Sequence, residues 1–464
     1  MPLETLVIDV GSTRLKGAVF QSTGTLGEVC SVDSPLQAGV VQAADVMEAV
    51  VSLMLRCCDS HVPAAIAITG ATRTHVLTDA KGDALDAVVK LDDARGAGFE
   101  GRIREAYGAH GGVGMGAFQP LARAMDWQAR RPDLFAGACW QLELKDWLNL
   151  QLTGVVATDP VCMARMVPPG ASLSAIAGRL GLRPALFADP LPTASVVGRV
   201  RPQADTRLAR LQGVPVIMCG FDAWCATFGM GCVADGQTYN VSGTTEVFGA
   251  FRPGFCDIKG VSCLQWTPEL YHLGGPCQTG LGTLAWFGRT FLNDSSPQSV
   301  MACAAQAGAD VPLCLPFVSG ERMPFWQPDL AAQFLEVRGH HGLPEFARAL
   351  LDGLMVFQRY LLSLLAPHAQ CLHLSGGALP LDGWAQLKAD AFGLPVNASA
   401  VDEPGLTGAA MSALTALGEF PDLAHAQAAL ATSGIVTLPE PVATRRLLDV
   451  EQRLLPHLMK LATP

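Results

Sequence analysis

Two stretches of this chain read alike, and together they constrain its fold more than any other feature. Leu6–Phe20 reads as a strand, then Asp9-Val10-Gly11-Ser12-Thr13, then a second strand. Gln237–Ala250 reads as a strand, then Val241-Ser242-Gly243-Thr244-Thr245, then a second strand. Each predicts a β-hairpin with a glycine and hydroxyl side chains at its tip. Two such hairpins suggest two related domains facing each other. No low-complexity linker separates them. The expected boundary lies near Val233-Ala234-Asp235-Gly236, giving domains 1–233 and 234–464.

The rest of the chain fits that reading. A length of 464 residues, at about 150 per domain, allows three domains or two large ones. Half the residues are hydrophobic and 16% are charged, which suits large packed cores and excludes a disordered chain. The 48 glycines and 31 prolines are spread evenly, as expected for many short strand–turn–helix units. Leu6–Val10, Ala65–Thr69, Val214–Cys219 and Cys371–Ser375 read as short buried strands. Asp45–Cys58, Glu345–Leu365 and Gly405–Leu417 read as helices. The alternation predicts an α/β protein.

Charge and cysteine usage exclude several partners. The net charge is −10, which argues against nucleic acid and against an anionic membrane surface. The longest apolar runs, such as Val214–Cys219, fall far short of the ~20 residues that span a bilayer. The start, Met1-Pro2-Leu3-Glu4, has an acid and no basic segment, so no signal peptide is expected. The 14 cysteines show no metal-like spacing and read as reduced, buried thiols, Cys57-Cys58 included. The expected compartment is the cytoplasm.

Chemistry concentrates at three kinds of turn. In the first hairpin, Gly11 lets the backbone approach a ligand closely, and Ser12 and Thr13 offer hydroxyls to phosphate oxygens. Asp9, at the end of a buried strand, is costly there without a partner, and Mg²⁺ with its waters is a natural one. An ordinary hairpin with a turn Asp is the alternative. Asp222, in Gly220-Phe221-Asp222-Ala223-Trp224, stands at a strand-to-helix switch. It is either a general base for a substrate hydroxyl or a helix N-cap. Ser375-Gly376-Gly377-Ala378 follows a third strand and admits a flat ligand or a phosphate, or is a plain β–α turn. P-loop and Rossmann fingerprints are absent from the sequence.

Taken in order, Asp9-x-Gly11-Ser12-Thr13-x-x-Lys16, Gly220-x-Asp222, Ser242-Gly243-Thr244-Thr245 and Ser375-Gly376-Gly377-Ala378 resemble the FGGY carbohydrate kinases, of the actin-like ATPase superfamily. Leu91-Asp92-Asp93-Ala94-Arg95, Asp146-Trp147-Leu148, Leu315-Pro316-Phe317, Gly320-Glu321-Arg322, Trp384-x-Gln386 and Glu403 with Gly408-Ala409-Ala410 extend the likeness. The resemblance implies two actin-like (ribonuclease H-like) domains with a catalytic cleft between them. It implies ATP and Mg²⁺ as cofactors, with Asp9 as the metal residue. Gly11, Ser12, Thr13 and Lys16 would border the transferred phosphate, and Gly243, Thr244 and Thr245 would cradle the ATP phosphates. Gly376, Gly377 and Ala378 would lie along the adenosine, and Asp222 would take the sugar hydroxyl proton. Phosphoryl transfer needs positioning and charge neutralisation more than covalent help, which agrees with that inventory.

The match departs in the sugar pocket. Relatives acting on xylulose carry Gln-Met-His-Gly after the strand Ala65–Thr69, and glycerol-specific ones carry Gln-Arg-Glu. Here the segment is Gly70-Ala71-Thr72-Arg73-Thr74. Arg73 has five donors and no acceptor, which suits a ligand rich in acceptor oxygens, such as a carboxylate. Its alternatives are a pair with Asp93 or exposure to solvent. Thr72, Phe118 and Trp224 complete the expected substrate contacts, with core packing as the alternative for Phe118 and Trp224.

The expected activity is ATP-dependent phosphorylation of a small sugar or polyol. A ketopentose such as xylulose ranks first on family prevalence. A polyol such as glycerol or erythritol, or a sugar acid favoured by Arg73, follows. A non-catalytic actin-like ATP sensor is the other class, and retention of both Asp9 and Asp222 argues against it. A homodimer is compatible with this reading.

Overall fold

The computed structural model describes residues 2–58, 61–108, 116–202, 204–432 and 434–462. The chain forms two compact units. One comprises residues 1–233, 264–268 and 401–432, and the other residues 234–263, 269–400 and 433–464. The units therefore differ from a single cut near Val233, because the chain returns to the first unit after making most of the second.

The first unit is built on a six-stranded sheet of β1 (Glu4–Val10), β2 (Arg14–Gln21), β3 (Cys30–Asp33), β4 (Ala65–Gly70), β7 (Val196–Arg199) and β8 (Pro215–Ile217). Its order is β3-β2-β1-β4-β8-β7. A small sheet pairs β5 (His75–Thr78) with β6 (Trp140–Glu143). Leu6, Ile8 and Val10 alternate along β1 and pack with Val46, Val50 and Met54 of the helix Ala43–Cys57. Val7, between them, is equally buried, and the helix Pro404–Ala416 also packs on β1. A strand with both faces covered reads as a continuous apolar run, as Leu6-Val7-Ile8 does.

The second unit carries a seven-stranded sheet in the order β11-β12-β10-β9-β15-β16-β17. These strands are β9 (Thr238–Ser242), β10 (Glu246–Arg252), β11 (Ser262–Gln265), β12 (Tyr271–Cys277), β15 (Leu372–Ser375), β16 (Val396–Ala398) and β17 (Ile435–Thr437). A second small sheet joins β13 (Leu313–Leu315) and β14 (Gln333–Leu335). The helix Leu343–Leu365 buries Leu350, Leu354, Phe357, Leu361 and Leu365 on one stripe. Pro344 opens it, and the Glu345 carboxylate accepts from the Gly342 N–H at 2.9 Å.

The two sheets repeat one plan. β1 pairs antiparallel with β2 and parallel with β4. β9 likewise pairs antiparallel with β10 and parallel with β15. β2–β3 matches β10–β12, and β4–β8 matches β15–β16. The likeness between the two hairpins is thus part of a likeness between whole sheets. Among the described residues, no helix is long and apolar enough to cross a membrane.

Candidate active site

β1, β4 and β8 run parallel, so their carboxyl ends share one edge of the first sheet. Ligands of open α/β sheets bind outside that edge. It brings together the ends that carry Asp9, the Gly70–Thr74 segment and, after β8, Asp222.

Asp9 faces Thr69 across β1–β4 and Lys16 across β1–β2. Its Oδ1 is buried and has no hydrogen-bond partner. Burial, followed by the negative charge of Asp222, pushes its pKa up to about 7, against the pull of Lys16. A Cβ placed on Gly405 would stand 3.3 Å from Asp9 Oδ2, so a bare backbone forms one wall of this pocket. The Lys16 ammonium is held by both Glu403 oxygens, at 2.7 and 2.9 Å. Gly11 is needed by its own turn: a Cβ there would lie 2.6 Å from the Arg14 carbonyl. Ser12 and Thr13 are exposed at the tip.

Asp222 is the first residue of the helix Asp222–Gly229, and Phe221 occupies the cap position. Its Oδ1 accepts from the Ala223 N–H at 2.7 Å. Burial raises its pKa to about 6, while the N–H groups of Ala223 and Thr72 and the charge of Arg165 hold it from rising further. A carboxylate with that value is ionised at neutral pH and is basic enough to accept a proton.

The Thr72–Thr74 segment beside it is fastened at several points. Arg165 donates to Thr72 Oγ1, and Arg123 donates to the Arg73 carbonyl. The Thr74 N–H donates to Glu143 Oε2 at 3.3 Å, and the Leu144 N–H to the Thr74 carbonyl at 2.7 Å. These contacts hold Arg73 at φ 55°, a left-handed conformation that costs a non-glycine residue about 1 kcal/mol or more. Arg73 Nε is buried without a hydrogen-bond partner, and among the described residues no carboxylate forms an ion pair with its guanidinium. Asp93, one expected partner, is taken by Arg95 at 2.7 Å. Burial, then the neighbouring Arg165, lowers the Arg73 pKa to about 9.

Four residues of this cluster went unread in the sequence: Arg123, Arg165, Glu143 and His75. Arg165 stacks 3.7 Å from the Phe221 ring centroid and lies 3.7 Å from Glu143. His75 sits opposite Glu143 in the β5–β6 register, with its Nε2 at 3.5 Å. Burial holds His75 below its ordinary pKa. Burial also opposes ionisation of Glu143, but His75, Arg165 and Lys145 outweigh it and bring its pKa down to about 2. Gln141-Leu142-Glu143 closes β6 with both faces buried, so its polar alternation does not mark a wet face.

Two expected contacts are corrected. Trp224 is 0% exposed; its Nε1 donates to the Trp266 carbonyl at 2.9 Å and its ring packs on Phe228. A Cβ on Gly220 would strike that ring at 2.5 Å, so the glycine exists to admit the tryptophan. Trp224 is core, because two residues along a helix point roughly 200° apart and Asp222 takes the site side. Ala378 is also 0% exposed, its N–H donates to the Ser242 carbonyl at 3.0 Å, and it belongs to the second core. It cannot line an adenosine surface. Phe118 is half-buried and closes a short helical turn, Gly116–Phe118.

The second unit presents two open turns. Thr244 is exposed at the tip between β9 and β10, flanked by half-buried Gly243 and Thr245. The Leu281 and Gly282 N–H groups donate to the Gly243 and Thr244 carbonyls, each at 2.9 Å. Gly376 has φ 100° and lies so close to Ser242 that a Cβ would be 2.4 Å from its carbonyl oxygen. Gly377 is exposed, with open space where a side chain would be.

The N-terminal domain of the FGGY family of carbohydrate kinases matches residues 5–229, and its C-terminal domain matches residues 238–417. The chain belongs to the FGGY family of carbohydrate kinases. A gluconokinase of Bacillus licheniformis is 23% identical over 459 residues, covering 89% of this chain and 88% of its own. A xylulose kinase of Bacillus subtilis (strain 168) is 26% identical over 305 residues, covering 63% of this chain and 61% of its own. The crystal structure of a gluconate kinase from Lactobacillus acidophilus superimposes with a TM-score of 0.89 at 20% identity, covering 100% of this chain and 99% of that one. Both units are thus the actin-like α/β units of FGGY kinases, and the protein is a sugar kinase. FGGY kinases take a small-molecule sugar and use ATP as phosphate donor.

Proposed function

We propose that this FGGY kinase phosphorylates a hydroxyl of a small sugar acid, an aldonate such as gluconate. One observation carries the reading: half-buried Arg73, with its Nε buried and unpartnered, makes no ion pair with a carboxylate among the described residues, close to Asp222 on a strained and firmly held backbone. Three guanidinium groups (Arg73, Arg123 and Arg165) meet there with the carboxylates of Glu143 and Asp222, and burial lowers the pKa of His75. A substrate carboxylate supplies the missing negative charge and matches the planar fork of an arginine. A ketopentose ranked first on sequence; this surplus of positive charge moves an aldonate ahead of it. The name of the gluconokinase relative supports the same order.

In this reading Asp222 accepts the hydroxyl proton as the oxygen attacks phosphorus, and Thr72 N–H and Arg165 keep the carboxylate ionised and aimed. Gly11, Ser12, Thr13 and Lys16 border the transferred phosphate. Gly243, Thr244, Thr245, Gly376 and Gly377 receive the nucleotide. Asp9 fits Mg²⁺, because its Oδ1 is a buried, unpartnered hard donor whose raised pKa marks a carboxylate short of positive charge. A bound Mg²⁺ supplies charge neutralisation to the phosphates. Thr72 and Phe118 remain the other substrate contacts.

A coupled ADP-release assay over aldonates, ketopentoses and polyols tests the proposal. Turnover with gluconate or another aldonate at least tenfold above every neutral sugar is expected. A preference for xylulose, the substrate in the second relative's name, would overturn it.

A further inference from the structure

Beneath the second hairpin lies an ion pair to which the proposed reaction gives no task. Lys388 and Glu246 are both 0% exposed, with Nζ 3.2 Å from Oε2. Lys388 also donates to Asn240 Oδ1 at 2.7 Å and to Gln358 Oε1 at 2.6 Å, so its three protons are all used. Glu246 accepts from Asn240 Nδ2 at 2.6 Å and from Ser242 Oγ at 2.8 Å. Ser242 Oγ in turn accepts from Trp384 Nε1 at 2.9 Å.

This network joins three elements. Asn240, Ser242 and Glu246 belong to the hairpin whose tip is Gly243–Thr245. Trp384 and Lys388 belong to the helix Trp384–Phe392. The Ser242 carbonyl is the atom on which the Gly376–Ala378 turn closes. Burying both charges is expensive: it lowers the Lys388 pKa and raises that of Glu246. Apolar residues of similar volume would serve stability as well or better. What they cannot supply is directional bonding that fixes where the hairpin root stands relative to the turn.

We propose that Lys388 and Glu246 are positioning residues for the nucleotide, holding the tip Gly243–Thr245 and the turn Gly376–Gly377 in the one arrangement that receives ATP. The proposal rests on assigning those two turns to ATP.

The test uses the full chain and a non-hydrolysable ATP analogue, with affinity read by calorimetry and stability by thermal melting. Lys388→Met strands a buried carboxylate and is expected to melt early. The double variant Lys388→Met, Glu246→Met removes both charges and is expected to melt above the single variant, yet bind the analogue at least tenfold more weakly. Affinity within twofold of the parent in that folded variant would overturn the proposal, and a lowered melting point with unchanged affinity would mark a purely structural pair. Should neither variant fold, Ser242→Ala decides: it removes only the hydroxyl between Glu246 and Trp384, and a threefold loss of affinity supports the proposal where no loss rejects it. Thr244→Ala separates the two layers. If it leaves affinity unchanged, the assignment of the hairpin to ATP fails; if it weakens binding while the double variant does not, only the positioning role fails.

Discussion

The Thr69 hydroxyl donates to the Gly220 carbonyl at 2.9 Å, deep in the first unit. That bond ties the strand that delivers Arg73 to the turn that delivers Asp222. The two groups proposed to grip and to deprotonate the substrate, each on a short turn, are thereby referenced to each other through one buried hydrogen bond.

Asp222→Asn keeps the shape and the hydrogen bond from Ala223 but removes the base. kcat should fall by roughly 10²–10⁴-fold, with ATP affinity little changed. In the parent, activity should decline as pH falls through about 6, where the Asp222 carboxylate takes up a proton. Steady-state kinetics between pH 5 and 8, beside a nucleotide titration, check both. Turnover of the variant within a few-fold of the parent would remove Asp222 from the mechanism.

Arg73→Met deletes the charge and keeps much of the volume. KM for an acidic substrate should rise about 10²-fold, the worth of a charge-assisted bidentate pair of roughly 3 kcal/mol. Arg73→His should shift activity toward neutral ketoses. Substrate ranking measured on the same panel tells the result, and a ranking that stays put would show that Arg73 does not select the substrate.

Asp9→Asn should abolish dependence on Mg²⁺ together with most turnover. The sign of its effect on stability is opposite. The folded pKa of about 7 lies above the ordinary carboxylate value, so the native state binds a proton more tightly than the unfolded chain. This group therefore favours folding at low pH, and that contribution fades as pH rises through about 7. The metal-free Asn variant should melt at a higher temperature than the metal-free parent at pH 8, and the gap should narrow at pH 5, closing only below the ordinary carboxylate value of 3.8. Equal melting temperatures at pH 8 would show that Asp9 is not held against ionisation. Thermal scans in chelator at the two pH values supply the comparison.

Trp224→Ala empties a filled site and should cost about 3–5 kcal/mol of stability. Trp224→Phe should cost less and leave substrate KM within twofold. A change in substrate ranking in the Phe variant, in the same assay, would return Trp224 to the pocket wall.

The hairpin tips, Asp9 and Asp222 were legible because glycine, hydroxyl and carboxylate side chains at strand ends have few structural excuses. Arg165, Glu143 and His75 were not, because each lies outside any motif and their meaning depends on which buried face they share. Trp224 and Ala378 were misread for a related reason. Proximity in sequence to a functional turn says nothing about which way a side chain points once a helix or a packed turn begins. Lys388 lies two residues past the Trp384-x-Gln386 match, yet a lysine in a helix is ordinarily solvent-facing and carries no mark of burial. The return of residues 401–432 to the first unit was equally hidden, since it depends on the fit between two helices far apart in sequence.

That return has a consequence for how the chain is made. A Cβ on Gly229 would lie 2.0 Å from the Pro404 carbonyl, and one on Gly408 would lie 1.8 Å from that of Cys225, so the helix carrying Asp222 and the late helix Pro404–Ala416 touch backbone to backbone. A nascent chain that has emerged only as far as residue 233 has no such neighbour, and the apolar side of its sheet waits for a segment still unsynthesised. The first unit to be begun is thus completed only after most of the second has been made, and until Glu403 arrives beside Lys16 its open sheet is exposed to non-native contacts.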